Sequence, residues 1–158
     1  MGLLRRAWQT IQNISREEFE KRLEKRRRKP STTSHRWEIN TTEGRHIGWV
    51  DYYRLDVQAG HAYIGICLPE KDTWGKGYGT EALSLLIDYL LREMGLKEVK
   101  TATWTGNKRM VRCARKCGFK EITRRPHRAK FSIRGEPLER IEFSITRSEW
   151  LARGDGGT

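Results

Sequence analysis

Trp74-Gly75-Lys76-Gly77-Tyr78-Gly79-Thr80-Glu81 is the stretch on which the reading of this chain turns. It follows the strand-like run Tyr63 to Leu68 and leads into Leu83, Leu86, Ile87 and Leu90, spaced i, i+3, i+4 and i+7 as the core stripe of a helix. Glycines at alternate positions let the backbone turn tightly and let a ligand approach with no Cβ in the way. N–H groups in a helix's first turn lack intrahelical partners and, with the helix dipole, favour an anion. Strand, glycine turn and helix together make a cradle for a diphosphate. A dinucleotide fingerprint needs G-x-G-x-x-G and a triphosphate loop needs G-x-x-x-x-G-K-[ST]; the spacing here, G-x-G-x-G, is neither.

Working outward, Arg36–Asn40, a turn at Thr42-Glu43-Gly44, His46–Leu55, a turn near Ala59-Gly60, and Ala62–Leu68 read as an antiparallel meander. Downstream, Gly95 stops the helix, Val99–Thr105 is a β-branched strand, and a second helix runs from Asn107 or Lys108 to Cys117, ended by Gly118. Phe119–Ile133, interrupted near Pro126, and Arg140–Thr146 are two last strands around a turn at Gly135-Glu136. A strand–helix–strand crossover after a meander predicts an α/β (α+β) fold, a mixed and mostly antiparallel sheet flanked by helices. Ser15-Arg16-Glu17-Glu18 is a capping box that opens a charged helix reaching about Lys29, with Pro30 beyond it. The expectation is one domain over residues 1–153, helical and basic over 1–34, with a disordered tail at 154–158.

The formal charge of +12 is uneven: residues 1–30 hold ten Lys/Arg against four Glu, and residues 101–134 hold eleven against one. Basic faces of that kind suit a phosphorylated ligand, nucleic acid or an acidic partner. Three cysteines, Cys67, Cys113 and Cys117, are too few and too odd for a disulfide framework and point to a reducing, cytoplasmic setting. The histidines at 35, 46, 61 and 127 stand at no metal-ligand spacing, so no metal site is expected. No run approaches the ~18 apolar residues of a membrane span.

Three segments resemble the GNAT superfamily of N-acetyltransferases. The glycine turn is similar to that family's R/Q-x-x-G-x-G/A loop, supplying Gly77 and Gly79 before Thr80-Glu81-Ala82-Leu83, with Trp74 where many members have Arg or Gln. Asn107-Lys108-Arg109-Met110 through Lys116-Cys117-Gly118-Phe119 resembles its N-x-x-S/M…K-x-G-F element. Arg147-Ser148-Glu149-Trp150 resembles the ending of the branch that acetylates ribosomal-protein N-termini. The matches come in order and cover about half the chain. The resemblance implies acetyl-CoA as acyl donor. Ile66, Cys67 and Leu68 would pair with its pantetheine arm, and Trp74, Gly75, Lys76, Gly77, Tyr78, Gly79 and Thr80 would surround its pyrophosphate. Asn107, Arg109 and Met110 would lie along the ligand. An extended arm of this kind can be bound as an added strand is.

Acetylating an amine needs removal of a proton from the ammonium, a donor for the developing oxyanion and a proton for the departing thiolate. The resemblance places the oxyanion donor at the backbone N–H of Cys67 or Leu68. It also implies two departures from the pattern. Ala114 stands where many members carry a tyrosine acid, and Tyr63 stands where many carry a glutamate. A free tyrosine, with a pKa near 10, is a poor base. Tyr63 and Asp51 are candidates, with Tyr53, Asp56 and His61 nearby, and the assignment stays open. Direct attack within a ternary complex is expected, because no cysteine is placed beside a base. The acceptor would be a primary amine, either a protein N-terminus or a small molecule. The rival is a degenerate module that binds acyl-CoA, RNA or the ribosome.

Cys113 and Cys117 otherwise read as small packing residues, and Trp37, Trp49 and Trp104 as strand-face aromatics. The family's first strand and long helical region have little counterpart in Met1–Asn13, so a shortened chain or a homodimer that covers the exposed sheet edge is expected.

Overall fold

The computed structural model describes residues 33–126, 132–133 and 136–156, together with Glu17, Glu20, Lys21 and Glu24, which are helical. The rest of the expected N-terminal helix, including Ser15 and Glu18 of its capping box, lies outside the described residues. Three strands open the described part: β1 (His35–Asn40), β2 (His46–Asp56) and β3 (His61–Cys67). They pair antiparallel as the expected meander. Helix α1 (Tyr78–Asp88) follows the glycine turn, then come β4 (Glu98–Trp104) and α2 (Lys108–Lys116). The chain continues through β5 (Lys120–Pro126), a two-residue-per-strand ribbon of β6 (Ser132–Ile133) and β7 (Glu136–Pro137), β8 (Glu139–Thr146) and α3 (Arg147–Gly156). The six-stranded sheet has the order β1-β2-β3-β4-β8-β5, and within it β3 and β4 alone run parallel.

Alternation along the strands decides which face is apolar. Val50, Ala62, Ile64, Val99, Ile141, Phe143 and Ile145 point to one side and meet Leu83, Leu86 and Ile87 of α1 and Ala114 and Cys117 of α2. The opposite face carries Asp51, Tyr53, Tyr63, Glu142 and their neighbours. The α1 stripe is as its spacing predicts, with one addition. After Asp88 the helix widens into a π-turn over Tyr89–Glu93, closed by Met94 N–H donating to Tyr89 O at 3.0 Å. That wider turn brings the adjacent Leu90 and Leu91 both fully inward, which a 3.6-residue period would not do.

The expected tail differs. Residues 154–156 belong to α3, and the reason is a capping box made by Thr146 and Glu149. Glu149 N–H donates to Thr146 Oγ1 at 3.3 Å, and Thr146 N–H donates to Glu149 Oε2 at 2.8 Å. Trp150 then docks the helix by donating from its indole to Asp88 at 2.8 Å. The Arg147-Ser148-Glu149-Trp150 ending thus has a local structural use: it starts a helix and fastens it to the π-turn.

The Lys120 ammonium first, and then the Thr146 backbone, hold the Glu149 carboxyl at about 2. A carboxyl lowered on folding contributes stability that is present above its ordinary value and is lost as pH falls through the folded one. Replacing Glu149 with alanine should cost about 1 kcal/mol near neutral pH. Thermal melts at pH 7 and pH 2 check this. The variant should melt lower at pH 7, and the gap should close between roughly pH 5 and pH 2.

Candidate functional site

The cleft begins where two parallel strands part. Only three pairs join β3 to β4: His61 with Glu98, Ala62 with Val99, and Tyr63 with Lys100. Each strand then continues without its partner, β3 to Cys67 and β4 to Trp104. The last tie is a side chain, as Thr101 Oγ1 donates to the Ile64 carbonyl at 2.9 Å. Because Ile64 faces β4, alternation turns the Ile66 backbone into the opening as well. Cys67 points the other way. Its carbonyl lies against β2, where a Cβ on Gly48 would fall 2.0 Å from it. Of the two N–H groups expected as oxyanion donors, that of Cys67 therefore faces β2, which leaves Leu68. The Leu68 carbonyl accepts the Trp74 indole N–H at 2.8 Å.

The glycine turn lies at the open end. Gly75 (φ 71°) and Gly77 (φ 88°) are left-handed, and Gly77 is the N-cap of α1 with no side chain over the helix end. The first turn closes by Glu81 N–H to Gly77 O at 3.0 Å, so the N–H groups of Tyr78, Gly79 and Thr80 have no intrahelical acceptor. Gly79 differs from the other two. It is helical, and a Cβ there would make ordinary contacts with Ile66, Leu68 and Cys113 at 3.5 to 3.7 Å. Lys76 is exposed beside the turn. Arg109 stacks on the Trp74 ring at 3.3 Å, joining the start of α2 to the loop.

On α2, Asn107 is the N-cap, and its Oδ1 accepts from Met110 N–H at 3.2 Å. That bond leaves the carboxamide NH2 as a donor. Met110 packs its side chain against the core cluster. Ala114 is buried, so no hydroxyl stands at that position. The two α2 cysteines reach the start of α1: Thr80 Oγ1 and Cys113 Sγ are 3.5 Å apart, and Cys117 Sγ donates to Thr80 O at 3.7 Å. Pairing with Cys117 first, and the Thr80 hydroxyl, lower the Cys113 thiol, while the same pairing and burial push Cys117 up. These cysteines line the underside of the cradle as well as packing.

At the apex of the cleft, the sheet face away from α1 carries Tyr63. Its hydroxyl donates to Glu142 on β8. Tyr53 stacks on Tyr63 with ring centroids 5.7 Å apart. Asp51 lies over β3, its Oδ1 2.8 Å from where a Gly65 Cβ would be. Burial raises the Tyr63 phenol, and the Glu142 bond raises it further; burial and the Asp51 charge do the same for Tyr53. Asp56 is separate from this group, because its carboxylate accepts Ala59 N–H at 2.9 Å in the β2–β3 turn. His61 packs edge-on to Tyr63. Sequence reasoning missed Glu142. Its one visible signal is an acidic residue between the apolar Ile141 and Phe143.

A family model described as an acetyltransferase (GNAT) domain matches residues 4–120. A curated relative, the FsC-acetyl coenzyme A-N(2)-transacetylase of Aspergillus fumigatus, is 31% identical over 78 residues, which is 49% of this chain and 33% of that protein. The chain thus spans about a third of that relative's length. Among solved structures, a SpeG spermidine N-acetyltransferase variant from Vibrio cholerae superposes with a TM-score of 0.72 at 21% identity, covering 89% of this chain and 80% of that one. The spermidine N-acetyltransferase of Vibrio cholerae in complex with CoA and spermine gives 0.71 at 20% identity, over 87% and 79%. At that identity the likeness concerns the fold alone. Taken with the match over residues 4–120, it shows that the chain belongs to the GNAT acetyltransferase domain family.

Proposed function

We propose that this chain transfers an acetyl group from acetyl-CoA to a primary amine, by direct attack with both substrates bound. The observation that carries this reading is the parting of β3 from β4 beside a glycine turn that opens a helix. Acetyl-CoA is a long anionic ligand whose pantetheine arm carries peptide-like amides, and it brings an activated thioester. The residues present fit it. The N–H groups of Tyr78 to Thr80 meet the pyrophosphate, with Lys76 and Arg109 adding positive charge. The Ile66 edge hydrogen-bonds the arm as a neighbouring strand would, and Asn107 donates to it from the far side. From Leu68 back to Ile64, β3 offers roughly 13 Å of edge at ~3.3 Å per residue, so an arm laid along it ends near the apex.

Direct attack is favoured over an acyl-enzyme by the state of Cys67. Burial pushes its thiol up, so it is a poor nucleophile at neutral pH. The acceptor is an amine at the open face near Asp51, Tyr53 and Tyr63. A polyamine, as in the Vibrio cholerae relatives' names, and a peptide N-terminus are the two forms to compare.

Calorimetry with acetyl-CoA, followed by thiol release with spermidine and with a short peptide bearing a free N-terminus, tests the proposal. Micromolar binding and acceptor-dependent thiol release are expected. Absence of binding would remove the donor site. Binding without release to either amine would leave a degenerate acyl-CoA module, a reading favoured by Ala114 and Tyr63 standing where the family carries its acid and base.

A further inference from the structure

We infer that Tyr63 and Glu142 form a proton relay at the cleft apex. In it the Tyr63 oxygen takes a proton from the bound ammonium while its own proton passes to the Glu142 carboxylate. The inference rests on the acetyltransferase reading above and supplies the base that the family pattern lacks here. Tyr63 sits at the last rung joining β3 to β4, beside the place where an arm laid along Ile66 ends. Its hydroxyl crosses β4 above Ala102, the residue paired with Glu142, and a methyl group leaves the path clear. Glu142 is only 8% exposed in the centre of the sheet. Arg140 at 3.4 Å and Arg125 at 3.8 Å pair with it.

A phenol with a raised pKa cannot be the resting base, but a relay never requires the tyrosinate. An N–H bond of the ammonium breaks as an O–H bond forms on Tyr63. The original Tyr63 O–H breaks as one forms on Glu142. The amine, now neutral, forms the C–N bond as the C–S bond breaks. The thiolate takes the second proton that nitrogen sheds, and Glu142 later returns its proton to water. The charged and titratable groups around the pair are Arg140 on β8, Arg125 on β5 and Lys100 on β4, Asp51, Tyr53 and Arg54 on β2, and His61 on β3. All of them stay in place in Glu142→Gln and Tyr63→Phe.

Buried carboxylates flanked by arginines are often only structural, and the pH profile separates the two roles. With spermidine or the peptide, whichever is turned over, wild-type kcat/KM should be flat from about pH 7.5 to 9.5, because the relay accepts the ammonium form. Glu142→Gln and Tyr63→Phe must wait for free amine. Their kcat/KM should lie about 100-fold lower at pH 7.5 and climb tenfold per pH unit toward wild type. A second readout needs no acyl donor. In the free protein, 13C-labelled tyrosine NMR, with Tyr63→Phe for assignment, should show the Tyr63 titration move down in Glu142→Gln. A Glu142→Gln profile parallel to wild type, an unchanged Tyr63 titration, or a unit slope in Asp51→Asn instead would overturn the relay. Acetyl-CoA binding measured on the same samples stands apart from these results, so loss of binding indicts the donor-site reading and not the relay. If wild type binds acetyl-CoA but acetylates neither amine, both readings fall.

Discussion

Replacing Gly77 with valine is expected to lower acetyl-CoA affinity by at least ~100-fold while the fold survives. The residue is left-handed at φ 88°, and a Cβ there would meet no protein atom within 4 Å. The protein itself therefore raises no steric objection, and the cost is conformational: about 1–2 kcal/mol for a residue other than glycine, and more for a β-branched one. If the backbone keeps its shape, the side chain fills the space a phosphate needs. If φ relaxes, the N–H groups of Tyr78 to Thr80 swing away from their common focus. Each hydrogen bond to a charged group contributes about 1.5–3 kcal/mol, so losing one or two accounts for the expected factor. The melting temperature should fall by only about 2–4 °C per kcal/mol of strain. Gly79→Ala is the control, because its Cβ would find ordinary van der Waals contact in a helical backbone. It should fold and bind better than Gly77→Val. Calorimetry on both decides the matter, and a Gly77→Val protein that binds within threefold of wild type would place the phosphates elsewhere.

The glycine turn and the helix it opens were legible in the sequence because their determinants are local. Glycines that need a left-handed backbone and a helical apolar stripe lie within one short stretch, and each has a known geometric consequence. The parting of β3 from β4 was not legible. It depends on where a ladder between residues about 37 apart stops, and the Thr101 hydroxyl that marks the end looks in the sequence like any strand threonine. Glu142 was hidden for a similar reason. In Ile141-Glu142-Phe143-Ser144-Ile145 it reads as the solvent side of an alternating strand, whereas β8 is interior to the sheet and is buried on both faces. The helix after Thr146 is a finding of the structure: the glycines of the tail read as disorder, whereas the Thr146–Glu149 capping box starts a helix that runs to Gly156. Its ending was read as a likeness to an acceptor branch, although Glu149 and Trp150 are occupied with capping and docking.

The second large effect is expected at Gly48, which lies on β2 away from the glycine turn. Gly48 is buried on β2, paired with Ile39 of β1, and its missing side chain admits the Cys67 carbonyl. An alanine Cβ would lie 2.0 Å from that oxygen and 3.1 Å from its carbon. These are backbone atoms and cannot rotate aside, so β2 and β3 must separate. The cost belongs at the upper end of overpacking, about 3 kcal/mol, or a drop of roughly 6–12 °C in melting temperature. Gly65→Ala is the informative contrast. Its Cβ would meet the Asp51 carboxylate at 2.8 Å, the far end of a side chain and not backbone, and the loss should be smaller than at Gly48. The two variants also differ in what they do to the ligand. Turning Cys67 toward β2 is what leaves the Ile66 backbone facing the cleft, so displacing β3 at Gly48 should weaken acetyl-CoA binding together with the fold. Thermal melts and calorimetry on the pair test this. If Gly48→Ala melted within about 2 °C of wild type, or if Gly65→Ala cost as much, the tight seating of β3 on β2 would not be what directs its free edge into the cleft.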